Sequence, residues 1–158
     1  MPRRKMQPSR RHRCIGNSGA AAIEFALLGP LLLILLVGAV ELGFAMYQAM
    51  QVYNAVEAGV VYAMSKGWDE AGISTAVVNG STVPGLTATP APVQFCGCPE
   101  AGGIAEVACT DPLPTCVDGD RAGQYIRISA ALPHQTILPF PSLGLPPTMT
   151  ARSIIRLN

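Results

Sequence analysis

Apolar and polar positions divide the chain into three parts. From Gly19 to Val40 nearly every residue is apolar, Glu24 being the one charged exception. A run of that length is enough to cross a bilayer, which takes roughly 20 mostly apolar residues in a helix. From Glu41 to Lys66 polar residues enter, yet no Pro interrupts and Ala, Met and Gln recur, so the pattern predicts one helix continuing beyond the span. Ala55, Gly59 and Ala63 are four apart and share one face, where a partner helix can approach closely. Pro30 should kink the helix or loosen one turn. Lys66 and Gly67 supply a last-turn cation and a C-terminal cap.

Beyond Lys66 the period changes. Asp69 is a candidate N-cap for a short helix from Glu70 to about Val78, closed by Asn79 and Gly80. Short, partly alternating segments bounded by Pro or Gly then predict strands at 83–89, 93–98, 125–132 and 148–157. The third is the clearest. Tyr125, Arg127, Ser129 and Ala131 share one face, and Ile126, Ile128, Ala130 and Leu132 share the other, which should pack on the helix. Residues 99–123 read as one long connection, and Pro133, Pro139, Pro141, Pro146 and Pro147 mark a Pro-rich loop. The expected class is α+β and membrane-anchored, with a long N-terminal transmembrane helix extending outward and packed on a small antiparallel β-sheet. Its parts are a basic leader (1–19), a transmembrane and extended helix (20–66), and a small extracytoplasmic domain with a cysteine-rich loop (67–158).

Charge sharpens this. Of eleven Lys and Arg residues, six lie in the leader (Arg3, Arg4, Lys5, Arg10, Arg11 and Arg13) with no acid among them; the remaining five face all ten acids. A basic cluster beside a hydrophobic span marks the cytoplasmic side, so the N-terminus is expected inside and the domain outside. With the span adjoining it, the cluster reads as an orientation signal rather than a nucleic-acid surface. No later run is long enough for a second crossing. The 14 Pro and 16 Gly residues suit a loop-rich small domain behind an anchor.

Cys96, Cys98, Cys109 and Cys116 would lie on the oxidising side, where two disulfides are expected. Three connectivities exist, and a Cys96–Cys98 bridge is the least favourable geometrically. The Cys-x-Cys spacing matches zinc-ligand patterns poorly, so no metal or other cofactor is expected. Cys14, in the leader, reads as a free thiol. Catalysis finds no support either. His134, the one histidine beyond the leader, reads as a solvated loop residue beside Pro133; Ser142 lacks a Gly-x-Ser-x-Gly setting; and no phosphate loop occurs. Glu41 and Glu57 are too far apart to form a catalytic pair, and Trp68 reads as a packing or anchoring residue at the helix end.

One constellation remains: a basic leader, Gly19, four small or apolar residues, Glu24 and Phe25, then the span. It resembles the processing site of type IV prepilins and pseudopilins, in which a membrane aspartyl peptidase cuts after the Gly. That resemblance implies cleavage between Gly19 and Ala20, and an assembly role for Glu24 and Phe25. Glu24 would pair with the freed amine of Ala20, on its own or a neighbouring subunit. Isolated, a carboxylate at mid-membrane costs about 2.5 to 3.5 kcal/mol on insertion scales, which marks it as functional.

Further residues narrow the resemblance. Ala20–Ala22, Ile23 before Glu24-Phe25-Ala26, Pro30 in the span, Glu41 two residues before Gly43, and the small-residue helix from Asn54 to Ala63 are similar to the TadE-like family, pseudopilins of the tight-adherence (Flp pilus) system. Val60 and Val61 stand where the family commonly has Ala-Arg. The resemblance implies a non-enzymatic component of type IVb pilus assembly, a single-pass protein of a bacterial inner membrane. Its implied partners are other pilin-like subunits, a prepilin peptidase, the membrane-embedded assembly platform and the lipid bilayer, with no nucleic acid. Two other readings exist: a generic single-pass protein whose outer domain binds a soluble partner or ligand, and a secreted protein cleaved near Gly43–Ala45. The apolar run is long for the 7–15-residue core of a signal peptide.

Overall fold

The computed structural model describes residues 18–134, 136 and 144–157. The leader's basic cluster, Cys14 and the loop prolines Pro139 and Pro141 lie outside the described residues, as does Ser142. Six elements follow in order: α1 (Ser18–Lys66), α2 (Glu70–Asn79), β1 (Val93–Glu100), β2 (Gly103–Val107), β3 (Gly123–Pro133) and β4 (Thr148–Arg156). The chain divides into two units, Met1–Ala39 and Val40–Asn158, and α1 belongs to both.

In the first unit α1 is the whole of the described structure and continues through Pro30. Its apolar side chains face outward all the way round: Ile23, Phe25, Leu27, Leu28 and Leu31–Leu36 are all more than half exposed. A helix apolar on every side needs lipid or other helices around it.

The second unit has its own core. Ala45, Val52, Ala55, Val56 and Ala63 of α1 meet Ile73 and Val77 of α2, and Ile126, Ile128, Ala130 and Leu132 of β3, with Met149 and Ala151 of β4. The inward face of the third predicted strand is therefore the face that packs on the helices. α1 stops where Gly67 adopts φ 81° and its N–H bonds Ala63 O at 2.9 Å, a left-handed cap that a β-carbon would strain. α2 starts at Asp69, whose carboxylate accepts from Gly72 N–H at 3.1 Å and from the Tyr62 hydroxyl at 2.9 Å. The Gly72 bond, then the Tyr62 bond, holds the Asp69 carboxyl below its ordinary pKa.

The sheet is antiparallel, in the order β2-β1-β3-β4. Two features differ from expectation. Residues 83–89 do not form a strand; they contribute a single bridge, Thr87 to Ala131. Pro84 and Pro90 lack the N–H a ladder requires, and the chain turns at Gly85. Conversely, the expected connection 99–123 contains β2, which returns on β1 from Gly103, opposite Glu100. Two disulfides, Cys96–Cys109 and Cys98–Cys116, tie the rest of that connection to β1, with Cα atoms 5.3 and 5.6 Å apart. Cys98, Cys116 and Ala122 form a second small core with Val107 and Leu113.

On the sheet's other face Phe95 and Tyr125 stack at 5.7 Å, and the Arg127 guanidinium lies 4.6 Å above the Phe95 ring while pairing with Glu106. Both rings are buried.

Candidate processing and assembly site

Gly19, Ala20, Glu24 and Phe25 all lie in the first two turns of α1. Among the described residues, nothing outside the helix's own nearby backbone stands within 4 Å of where a β-carbon on Gly19 would be. Helix geometry puts Ala20 and Glu24 on one face, one turn apart. A free amine at Ala20 would sit at the positive end of the helix dipole, with the Glu24 carboxylate one turn below it. Glu24 and Phe25 are exposed, Phe25 by 75%.

Ala55, Gly59 and Ala63 are placed differently. All three are buried, and the helix that approaches their face is α2 of the same chain. A β-carbon added at Gly59 would stand 2.5 Å from Val77 Cγ2 and 3.1 Å from Ile128 Cγ2. The opposite face of α1, through Leu42, Met46, Met50, Tyr53, Val61 and Met64, is exposed.

The buried stripe continues toward the first unit through two polar residues, Gln48 and Glu41, and receives a third from the sheet. The side chain of His134, just past β3, is buried rather than solvated, 1% exposed. Its Nδ1–H donates to Gln48 Oε1, and its Nε2 stands 3.9 Å from Glu41 Oε1, making no hydrogen bond among the described residues. The position of His134 in a Pro-flanked loop hid this. The available signal was on α1: Glu41, Ala45, Gln48, Val52, Ala55, Gly59 and Ala63 recur at spacings of three and four, so the two polar residues belong to the core-facing stripe.

Trp68, just past α1, is 38% exposed. No group of three or more His, Cys, Asp or Glu residues that could hold a metal ion occurs among the described residues.

No curated protein matches the chain, and no solved structure does. A family model does match, over residues 19–60, beginning at the Gly of the candidate processing site and ending inside the buried stripe. The family is described as TadE-like protein, and over residues 19–60 this chain is similar to it.

Proposed function

We propose that the protein is a minor pilin or pseudopilin of Flp (type IVb) pilus assembly, with no catalytic activity of its own. The observation that carries the reading is Gly19, four residues, then Glu24-Phe25, at the start of a helix that is apolar on all sides and TadE-like in sequence. In this reading α1 anchors the chain in the bacterial inner membrane, the basic leader stays in the cytoplasm and the disulfide-bonded domain lies outside. A prepilin peptidase cuts after Gly19. The first unit then packs against other pilin-like subunits at the assembly platform, helped by the exposed apolar face of α1 in the second unit.

Glu24 sets the register of that packing. Buried in a helix bundle beside a cationic amine it is compensated; displaced by a turn it remains an uncompensated charge in an apolar setting. Misaligned subunits are thereby disfavoured.

The test is the N-terminal sequence of the mature protein from membranes of the native host. A start at Ala20, abolished by Gly19→Val, is the expected result. An intact leader would mean a plain anchor, a start near Met46 would mean a secreted protein, and either would overturn the proposal. Glu24→Leu should leave insertion intact and stop assembly; piliation at the wild-type level would remove the role given to Glu24.

A further inference from the structure

The sheet of the second unit is charged unequally from one edge to the other. β2 and β4 are its two edges. On the β2 side, the hairpin and stapled connection (99–123) carry Glu100, Glu106, Asp111, Asp118 and Asp120 against a single cation, Arg121. Their acids are exposed, and Glu106 alone pairs across the sheet, with Arg127. On the β4 side, the described segment 144–157 carries Arg152 and Arg156 and no acid. These two are four residues apart on one strand, so they project from the same face, and both are exposed. Cross-strand pairing puts Arg152 opposite Ser129 and Arg156 opposite Tyr125, on the face that also carries Arg127. No carboxylate pairs with Arg152 or Arg156 among the described residues.

Only five cations lie beyond the leader, and three of them gather on this face of β3 and β4. An unpaired strand edge is ordinarily shielded by charge or cover, because it templates pairing with another chain. Here the face beside the outer edge of β4 is charged with one sign, and the opposite end of the same domain carries the other sign. Another copy of the molecule presents a surface of complementary charge.

We infer that a second copy of this chain docks its acidic β1–β2 hairpin and stapled connection against the Arg152–Arg156 face of β4, in a head-to-tail contact. Such a contact is heterologous: each copy uses one surface as donor and a different one as acceptor, so it repeats along a row instead of closing as a symmetric pair. Single exposed ion pairs contribute little. The contact therefore relies on several pairs together, between molecules already held side by side in a membrane. It does not rest on cleavage at Gly19, and failure of that cleavage would leave it standing.

The test uses the full chain in membranes, with the photo-crosslinking residue p-benzoylphenylalanine installed at the exposed Thr150. Irradiation should give covalent dimers whose adduct maps by mass spectrometry to residues 99–123 of the second copy. Arg152→Glu with Arg156→Glu should reduce that yield at least severalfold. Asp118→Arg with Asp120→Arg should do the same, and combining the four substitutions should restore it, a rescue that misfolding would not give. Raising salt to 1 M, where the screening length shrinks to about 3 Å, should also lower the yield. Adducts joining β4 to β4, adducts to other proteins only, or no covalent dimer would overturn the inference, as would dimers insensitive to the charge reversals.

Discussion

At the scale of single residues, Gly59 decides how α1 meets the rest of the second unit. Its neighbours Val77 Cγ2 and Ile128 Cγ2 belong to two different elements, and both fall inside the space that any larger side chain would need. Val77 and Ile128 are fully buried, so neither can turn outward to make room. Overpacking a tight core typically costs about 1 to 3 kcal/mol. Gly59→Leu should reach or exceed that range, whereas Val61→Leu, two residues away on the exposed face, should be nearly neutral. Denaturant unfolding of the full chain in detergent, followed through the fluorescence of Trp68, measures both. Equal midpoints for the two variants would contradict the packing described. The same scale explains why the burial of the His134 side chain is not legible in the sequence. Its burial depends on Gln48, 86 positions away, and no local pattern at a Pro-flanked loop announces such a partner.

At the scale of elements, what was legible depended on how each element is stabilised. α1, α2 and β3 are written in local periodicity and capping, through the buried stripe of α1, Asp69 and Gly67 at the helix ends, and the alternation from Tyr125 to Leu132. β2 is written in neither: it is short, only partly buried, and held by pairing with β1. The segment 83–89 has the composition of a strand, yet its neighbouring prolines leave it one bridge. Four cysteines allow three pairings, and the placement of β1 against the connection selects Cys96–Cys109 and Cys98–Cys116. That dependence gives a prediction. Closing loops of 13 and 18 residues should stabilise the domain by about 3 kcal/mol each in the chain-entropy picture. The helices and β3 share a core that contains none of these cysteines. Reduction should therefore loosen 93–122 first, seen by hydrogen exchange as lost protection there while α2 and β3 keep theirs. Uniform loss across the second unit would show that the staple supports the main core as well.

At the scale of the whole molecule, two independent kinds of chemistry bear on which side of a membrane each part occupies. Six basic residues and no acid precede the span, and positive charge resists translocation. Cys96–Cys109 and Cys98–Cys116 pair beyond it, and such bridges persist in oxidising compartments but not in a reducing cytosol. In the proposed topology the first would act on insertion and the second would report where the domain arrives, so the two can be separated experimentally. Replacing Arg3, Arg4, Lys5, Arg10, Arg11 and Arg13 with Gln should let a fraction of the chains insert the other way round. In that fraction the four domain cysteines should be open to a thiol-alkylating reagent, while in correctly inserted chains they should stay protected. Protease added to spheroplasts sorts the two populations, since only an outward domain is digested, and alkylation should follow the undigested fraction. If the neutral leader leaves every chain protease-sensitive and fully disulfide-bonded, the basic cluster does not orient the protein. The case for a cytoplasmic leader would then rest on the Gly19 motif alone.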